Sequence, residues 1–304
     1  MKVSVETSAG WSARSFVKAM VYGLYFLAAT AFFVWLRLPE ATLKEAIERA
    51  LHEQAPQFAW RVATVSVQLP VTGIFTGIEV FSSREHEPPA VVIDRLSVTP
   101  RFMSLLTGSY VVDYTANLLQ GEVLGSVSLS EGSAAVVTVT GDHRDMKLSS
   151  GPRPMILLGR EVSGTVSGSF RYQGRTDRLE GEGEISMALL SGGVSLTQPL
   201  FGMTQVDIDQ SQFELVLQGT ELTIAKGSFR SKDFMGEVLG TVSLATVLPE
   251  SSLNLEGWCE LFPSFFVNQR LTGGVQDFVK QRSKEGKIPF LLNGLVAVPQ
   301  FSLK

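Results

Sequence analysis

The chain has 304 residues, with 26 Lys and Arg against 30 Asp and Glu, a formal net charge of −4 and 44% hydrophobic residues. An apolar, weakly charged composition excludes wholesale disorder, and the lack of a basic surplus argues against a nucleic-acid partner. The single cysteine, Cys259, excludes an intrachain disulfide.

The first element in chain order is an uncharged stretch of 18 residues from Ala19 to Leu36, bracketed by Lys18 and Arg37. A bilayer core takes about 20 apolar residues, with roughly 17 as the lower limit. Lipid offers the backbone no hydrogen bonds, so such a span must be a helix. Tyr22, Tyr25 and Trp35 lie near its ends, where amphipathic rings favour the headgroup region. Phe32 to Leu36 closes the stretch without a small-x-small cleavage site, so a retained anchor over residues 19–37 is expected rather than a cleaved signal peptide. Lys2, Arg14 and Lys18 precede the span, and Arg37 and Lys44 follow it. The positive-inside rule then puts residues 1–18 in the cytoplasm by a small margin and the bulk of the chain outside it. In a Gram-negative envelope that means a single-pass inner-membrane protein with a periplasmic body. A lone cysteine suits an oxidising compartment.

Residues 38–56 read as an amphipathic helix from about Thr42 to Gln54. Thr42 and Glu45 fit a capping box downstream of Pro39, and Leu43, Ala46, Ile47, Ala50 and Leu51 form one stripe. Its expected role is to cap one end of the following domain; the alternative is a helix lying on the membrane surface.

Over residues 57–304 the period changes to two. Val65 and Val67 alternate with Thr64, Ser66 and Gln68, and Leu96, Val98, Val137 and Val139 repeat the pattern. The longest run puts Val162, Gly164, Val166, Gly168, Phe170 and Tyr172 on one face. Phe213, Leu215 and Leu217 follow, then Leu222 and Ile224, Val238 and Val242, and Leu253 and Leu255. One apolar and one wet face mark an antiparallel sheet. Turns are expected at Gln173-Gly174-Arg175 and Gln218-Gly219-Thr220, a second short helix over Val275 to Lys284, and a final strand pair broken at Asn293-Gly294. The segment Gly121–Leu129, GEVLGSVSL, recurs as GEVLGTVSL over Gly236–Leu244. Recurring strand glycines suggest bends at matched positions. The expected fold is therefore mainly β: a large antiparallel sheet curved into a trough or partly closed barrel, with a short helix near each end. Val162, Val166, Phe170, Tyr172, Phe213, Leu215 and Leu217 are the candidate lining of its apolar groove.

Catalytic constellations do not appear. The sequence has no phosphate loop, no dinucleotide fingerprint and no nucleophile elbow. Ser167, in GTVSG, sits in an alternating strand and reads as a strand serine. Asp142-His143-Arg144-Asp145 reads as a polar turn, since a metal site draws ligands from several elements. Asp207 and Asp209 lack the other oxygen ligands of a calcium loop. Cys259 reads as a small buried hydrophobe with no local base. No enzymatic activity, metal or cofactor is expected.

The order of these segments resembles a known family. A single N-terminal span leads into LPEATLKEAIERAL and VQLPVTGIFTGIEV, then DRLSVTPRFMSLLTGSY and the GEVLGSVSL strand, and the chain closes with IPFLLNGLVAVPQFSL. This is similar to the type II secretion system protein N family (general secretory pathway protein GspN), within the wider AsmA-like group of envelope proteins. The resemblance covers nearly the whole chain through strand and turn patterns. It implies a bitopic inner-membrane component acting through contacts with type II secretion subunits, with no catalytic residue or cofactor. AsmA-like kinship implies a second reading, a lipid-binding or lipid-transfer module using the apolar face of a curved sheet.

Overall fold

The computed structural model describes residues 40–304 except 55–57, 69–70, 83–88, 106–107, 131–135, 152–154, 158–159, 176–180, 201–202, 246–249, 269–280 and 282–285. The expected anchor, with Ala19, Tyr22, Tyr25, Trp35 and Leu36, lies outside the described residues, as does all of the expected Val275–Lys284 helix but Gln281. Among the described residues no helix is long and apolar enough to cross a membrane.

The fold is one antiparallel meander. Its strands are β1 (Phe58–Gln68), β2 (Thr72–Ser82), β3 (Val91–Pro100), β4 (Ser109–Leu118), β5 (Gly121–Ser130), β6 (Val136–Lys147), β7 (Met155–Leu157), β8 (Arg160–Arg175), β9 (Gly181–Leu200), β10 (Met203–Gly219), β11 (Glu221–Arg230), β12 (Phe234–Ser243), β13 (Ser252–Leu261), β14 (Lys287–Leu295) and β15 (Val298–Leu303). Each pairs with its sequence neighbour, except that β6 pairs with β8 and the short β7 pairs with β8 alone. The first and last strands do not pair, so the sheet is not closed. Consecutive pairing follows from the sequence: strands of period two joined by short links satisfy their backbone groups most directly against the next strand.

Among the described residues, the helices α1 (Glu40–Gln54), α2 (Phe102–Leu105) and α3 (Pro263–Asn268) sit at the margins. The helix expected from Thr42 begins at Glu40, which places Thr42 inside its first turn rather than at its cap. Ile47 of α1 packs on the buried cluster of Val62, Val65 and Ile78, at the β1 end of the sheet.

Other expectations need correction. Gln173-Gly174-Arg175 is not a turn: Gly174 pairs with Gly181 and β8 runs through Arg175. Asn293-Gly294 lies inside β14, opposite Gln300 and Pro299, and the chain reverses at Val296-Ala297 instead. That reversal is held from outside, because the Val296 amide donates to the Ser251 carbonyl at 2.9 Å. Asp142 to Asp145 is strand, not turn, with the left-handed Asp145 (φ 52°) beside a register shift. The Gln218-Gly219-Thr220 turn is where it was expected, with Gly219 at φ 62°.

The repeated nonapeptide occupies equivalent ground. The glycine at its fifth position is Gly125 in β5 and Gly240 in β12. A Cβ at Gly125 would stand 2.0 Å from the Thr140 carbonyl oxygen, and one at Gly240 would stand 2.3 Å from that of Asn254. In both copies the next strand's backbone comes too close for any side chain, which accounts for glycine there.

Candidate functional site

The register aligns the alternating residues of all strands into rows that cross the sheet. One row links Tyr114 to Gly125, Gly141 and Phe170, and continues through Ile185, Leu215, Ile224, Gly240, Leu255 and Leu292 to Phe301. No member carries a charge. On one side of it runs Val112, Val127, Val139, Tyr172, Gly183, Leu217, Leu222, Val242 and Leu253. On the other runs Ala116, Val123, His143, Gly168, Met187 and Phe213. Beyond that lies Val166, Leu189, Ser211, Phe229, Gly236, Cys259 and Ile288. Cross-strand partners stand on the same face, as do residues two apart along a regular strand. These rows therefore form one apolar surface several strands wide.

The opposite face is polar. A representative row there reads Asp113, Ser126, Thr140, Arg171, Glu184, Val216, Thr223, Thr241 and Asn254. A cleft of about 510 Å³ on this side takes Thr140, Arg171, Glu184 and Glu214 into its lining.

Six of the seven expected groove residues come together on the apolar face. Phe170 and Leu215 flank Ile185, Tyr172 and Leu217 flank Gly183, Phe213 partners Met187, and Val166 partners Leu189. Val162 stands apart: a register shift between Ser163 and Thr165, at Gly164 (φ 120°), separates its pairing with Val194 from the rest. The surface extends beyond those seven candidates, into Tyr114, Val127 and Val139 on one flank and Leu222, Leu253, Leu292 and Phe301 on the other. The signal was present as alternation in each strand; the alignment between strands was not.

Burial on this face is incomplete. Val166, Leu255 and Phe290 are buried, whereas Phe170, Tyr172, Phe213, Leu215 and Leu217 are only half-buried, and Phe301 is 45% exposed. All the described strands belong to the one sheet, so none of them forms a second layer over it. Full burial of a large apolar side chain stabilises by roughly 1.5–3 kcal/mol. A face left half-open forgoes part of that gain, and exposed apolar patches of this kind commonly mark contact sites.

Several polar groups lie on the apolar face, buried Ser211 among them. Buried His143 sits 6.4 Å from the Phe170 ring, centroid to centroid; burial lowers its pKa, against an opposing pull from Asp142. Tyr114 reaches across Gly125 to donate to the Thr140 carbonyl at 3.2 Å, and burial raises its pKa, with Asp142 adding to the effect. Burial pushes the Cys259 thiol up to about 11. None of these has a nucleophile–base partnership, and among the described residues no three His, Cys, Asp or Glu side chains cluster as metal ligands. Asp207 and Asp209 stand exposed on β10, where Asp207 accepts from the Gln205 amide at 3.0 Å. Ser167 Oγ accepts from the Asp145 amide at 2.9 Å, which ties it to the adjacent bulge.

No family model, curated protein or solved structure matches this chain.

Proposed function

We propose that this protein is a non-enzymatic component of the bacterial envelope, anchored in the inner membrane through residues 19–37 with its sheet in the periplasm, and that it serves the type II secretion machinery through protein–protein contacts. The carrying observation is the half-open apolar surface that crosses the sheet from Tyr114 to Phe301 without a charge. Such a surface suits contact with an apolar partner. The resemblance of the segment order to the type II secretion protein N family supports the assignment to that machinery. In this reading the sheet curves into a trough with the apolar rows inside. Strand glycines such as Gly125 and Gly240, where neighbouring backbones close in, provide the bends.

The width of the apolar face favours a second reading, AsmA-like lipid binding or transfer. Acyl chains need an extended surface free of charge rather than a few anchoring pockets, and this surface is several rows wide. Native mass spectrometry of the full chain in detergent, combined with cross-linking in cells, separates the two. Cross-links from the apolar face to secretion subunits on a lipid-free protein support the first reading. Near-stoichiometric phospholipid with no such cross-links overturns it in favour of the second.

A further inference from the structure

The two edges of the meander are not equivalent. On β1 the amide of fully buried Val62 points away from the sheet and donates to Glu48 Oε1 of α1 at 2.8 Å. That helix guards the first edge. Among the described residues nothing pairs with the outer edge of β15. The Lys304 amide donates inward to Pro289 at 3.0 Å, so by alternation the amides of Ser302, Gln300 and Val298 also face β14. The backbone groups of Pro299, Phe301 and Leu303 then face outward. Natural edges are commonly blunted by charges. Val298 to Leu303 carries none, and Val298 is 69% and Phe301 45% exposed. The only blunting device is Pro299, which lacks one outward donor.

We infer that β15 is an assembly edge whose occupant is a second copy of this chain, paired antiparallel about a two-fold axis through Phe301 and perpendicular to the sheet. The outward groups fit themselves in this register. Phe301 of each copy exchanges both backbone bonds with Phe301 of the other, and each Leu303 amide donates to the carbonyl of the opposing Pro299. The missing donor of Pro299 falls at the periphery of the pairing, where it costs least. A perpendicular axis keeps both apolar faces on one side, so the row ending in Phe301 continues into its own copy. A two-fold contact closes at two subunits by symmetry, and α1, bonded to the Val62 amide, hinders head-to-tail growth of β15 onto that part of β1. The inference does not depend on whether the apolar face contacts protein or lipid.

The test uses the full chain in detergent. Phe301→Cys in a Cys259→Ser background sets two thiols on residues whose Cα atoms are about 5.5 Å apart in a hydrogen-bonded antiparallel pair, within disulfide range. Mild oxidation is expected to make the linked dimer the dominant species, while Thr64→Cys on the guarded edge stays monomeric. Light scattering is expected to give twice the protomer mass for the natural sequence and the protomer mass for Phe301→Pro, whose lost amide makes no bond to β14. A monomeric natural chain overturns the inference. So does a dimer that survives Phe301→Pro, which would mean association through the apolar faces, and so does cross-linking at Thr64→Cys as efficient as at Phe301→Cys. If Phe301→Pro fails to fold, the oxidation result decides alone.

Discussion

Phe170 lies over Gly141, its register partner, so closely that a Cβ on the glycine would stand 2.6 Å from Phe170 Cζ. One strand over, a Cβ on Gly125 would stand 2.0 Å from the Thr140 carbonyl oxygen. The obstacles differ in kind. The Phe170 ring and the Tyr114 hydroxyl, which would stand equally close at 2.6 Å, are side-chain groups that can swing aside, whereas the Thr140 carbonyl belongs to a hydrogen-bonded strand. Gly125→Ala is therefore expected to cost about 2–3 kcal/mol, near the upper end for overpacking, and Gly141→Ala under about 1 kcal/mol. Urea unfolding midpoints measure both, and equal losses would refute the distinction.

Leu217 stands half-buried on the apolar face between Gly183 and Leu222. Leu217→Asp places a charge in a surface that otherwise carries none nearby. It is expected to abolish association with the apolar partner, read as loss of bound lipid or of cross-links, at a stability cost of about 1–2 kcal/mol. Thr223→Ala, on the polar face one position along from Leu222, should leave that association unchanged. Equal effects of the two substitutions would mean that the apolar face is not the contact surface.

Much of this surface was visible in the sequence, one strand at a time. The alternation of Phe213, Leu215 and Leu217 marks both the strand and its apolar side without any partner. What alternation does not carry is register, which depends on where bulges fall. Gly164 and Asp145 each shift the pairing, and nothing local fixes where Val162 ends up relative to Val166. Turns held by distant groups are similarly opaque. Asn293-Gly294 is the usual turn dipeptide, yet the chain reverses at Val296-Ala297 because Ser251, far back in sequence, accepts from the Val296 amide. The charged neighbours of His143 suggest a polar turn, whereas the strand carries it onto the apolar face, between Val123 and Gly168.

That placement makes stability pH-dependent with a definite sign. Burial favours the neutral imidazole and lowers its folded-state pKa, only partly opposed by Asp142. A lowered pKa contributes stability that is present above the ordinary histidine value of about 6.5. The contribution is lost as pH falls through the lower folded value. His143→Phe removes this dependence while keeping an aromatic ring beside Phe170. Melting temperatures between pH 8 and pH 5 are expected to fall more steeply for the natural sequence than for the variant. Parallel curves would contradict the assignment.

Cys259 shares the apolar face, between Gly236 and Ile288, and burial raises its pKa to about 11. Its thiolate fraction at pH 8 is then a few hundredfold below that of an unburied thiol with a pKa of about 8.5. Iodoacetamide labelling of the folded chain is expected to be slower by about that factor than labelling in urea. Comparable rates would show an accessible, ordinary cysteine.

Glu48 holds α1 to the sheet and at the same time closes the first edge. Glu48→Ala leaves the Val62 amide buried without an acceptor, at an expected cost of about 1–3 kcal/mol. Glu48→Gln keeps an acceptor oxygen in the same place and is expected to recover most of the loss. The alanine variant also loosens the guard on β1, so a strand edge opens at each end of the meander. Concentration-dependent growth beyond two subunits should appear in light scattering for Glu48→Ala and not for Glu48→Gln. If neither variant changes stability or assembly, Ile47 and its packing on Val62, Val65 and Ile78 hold α1 in place without the hydrogen bond.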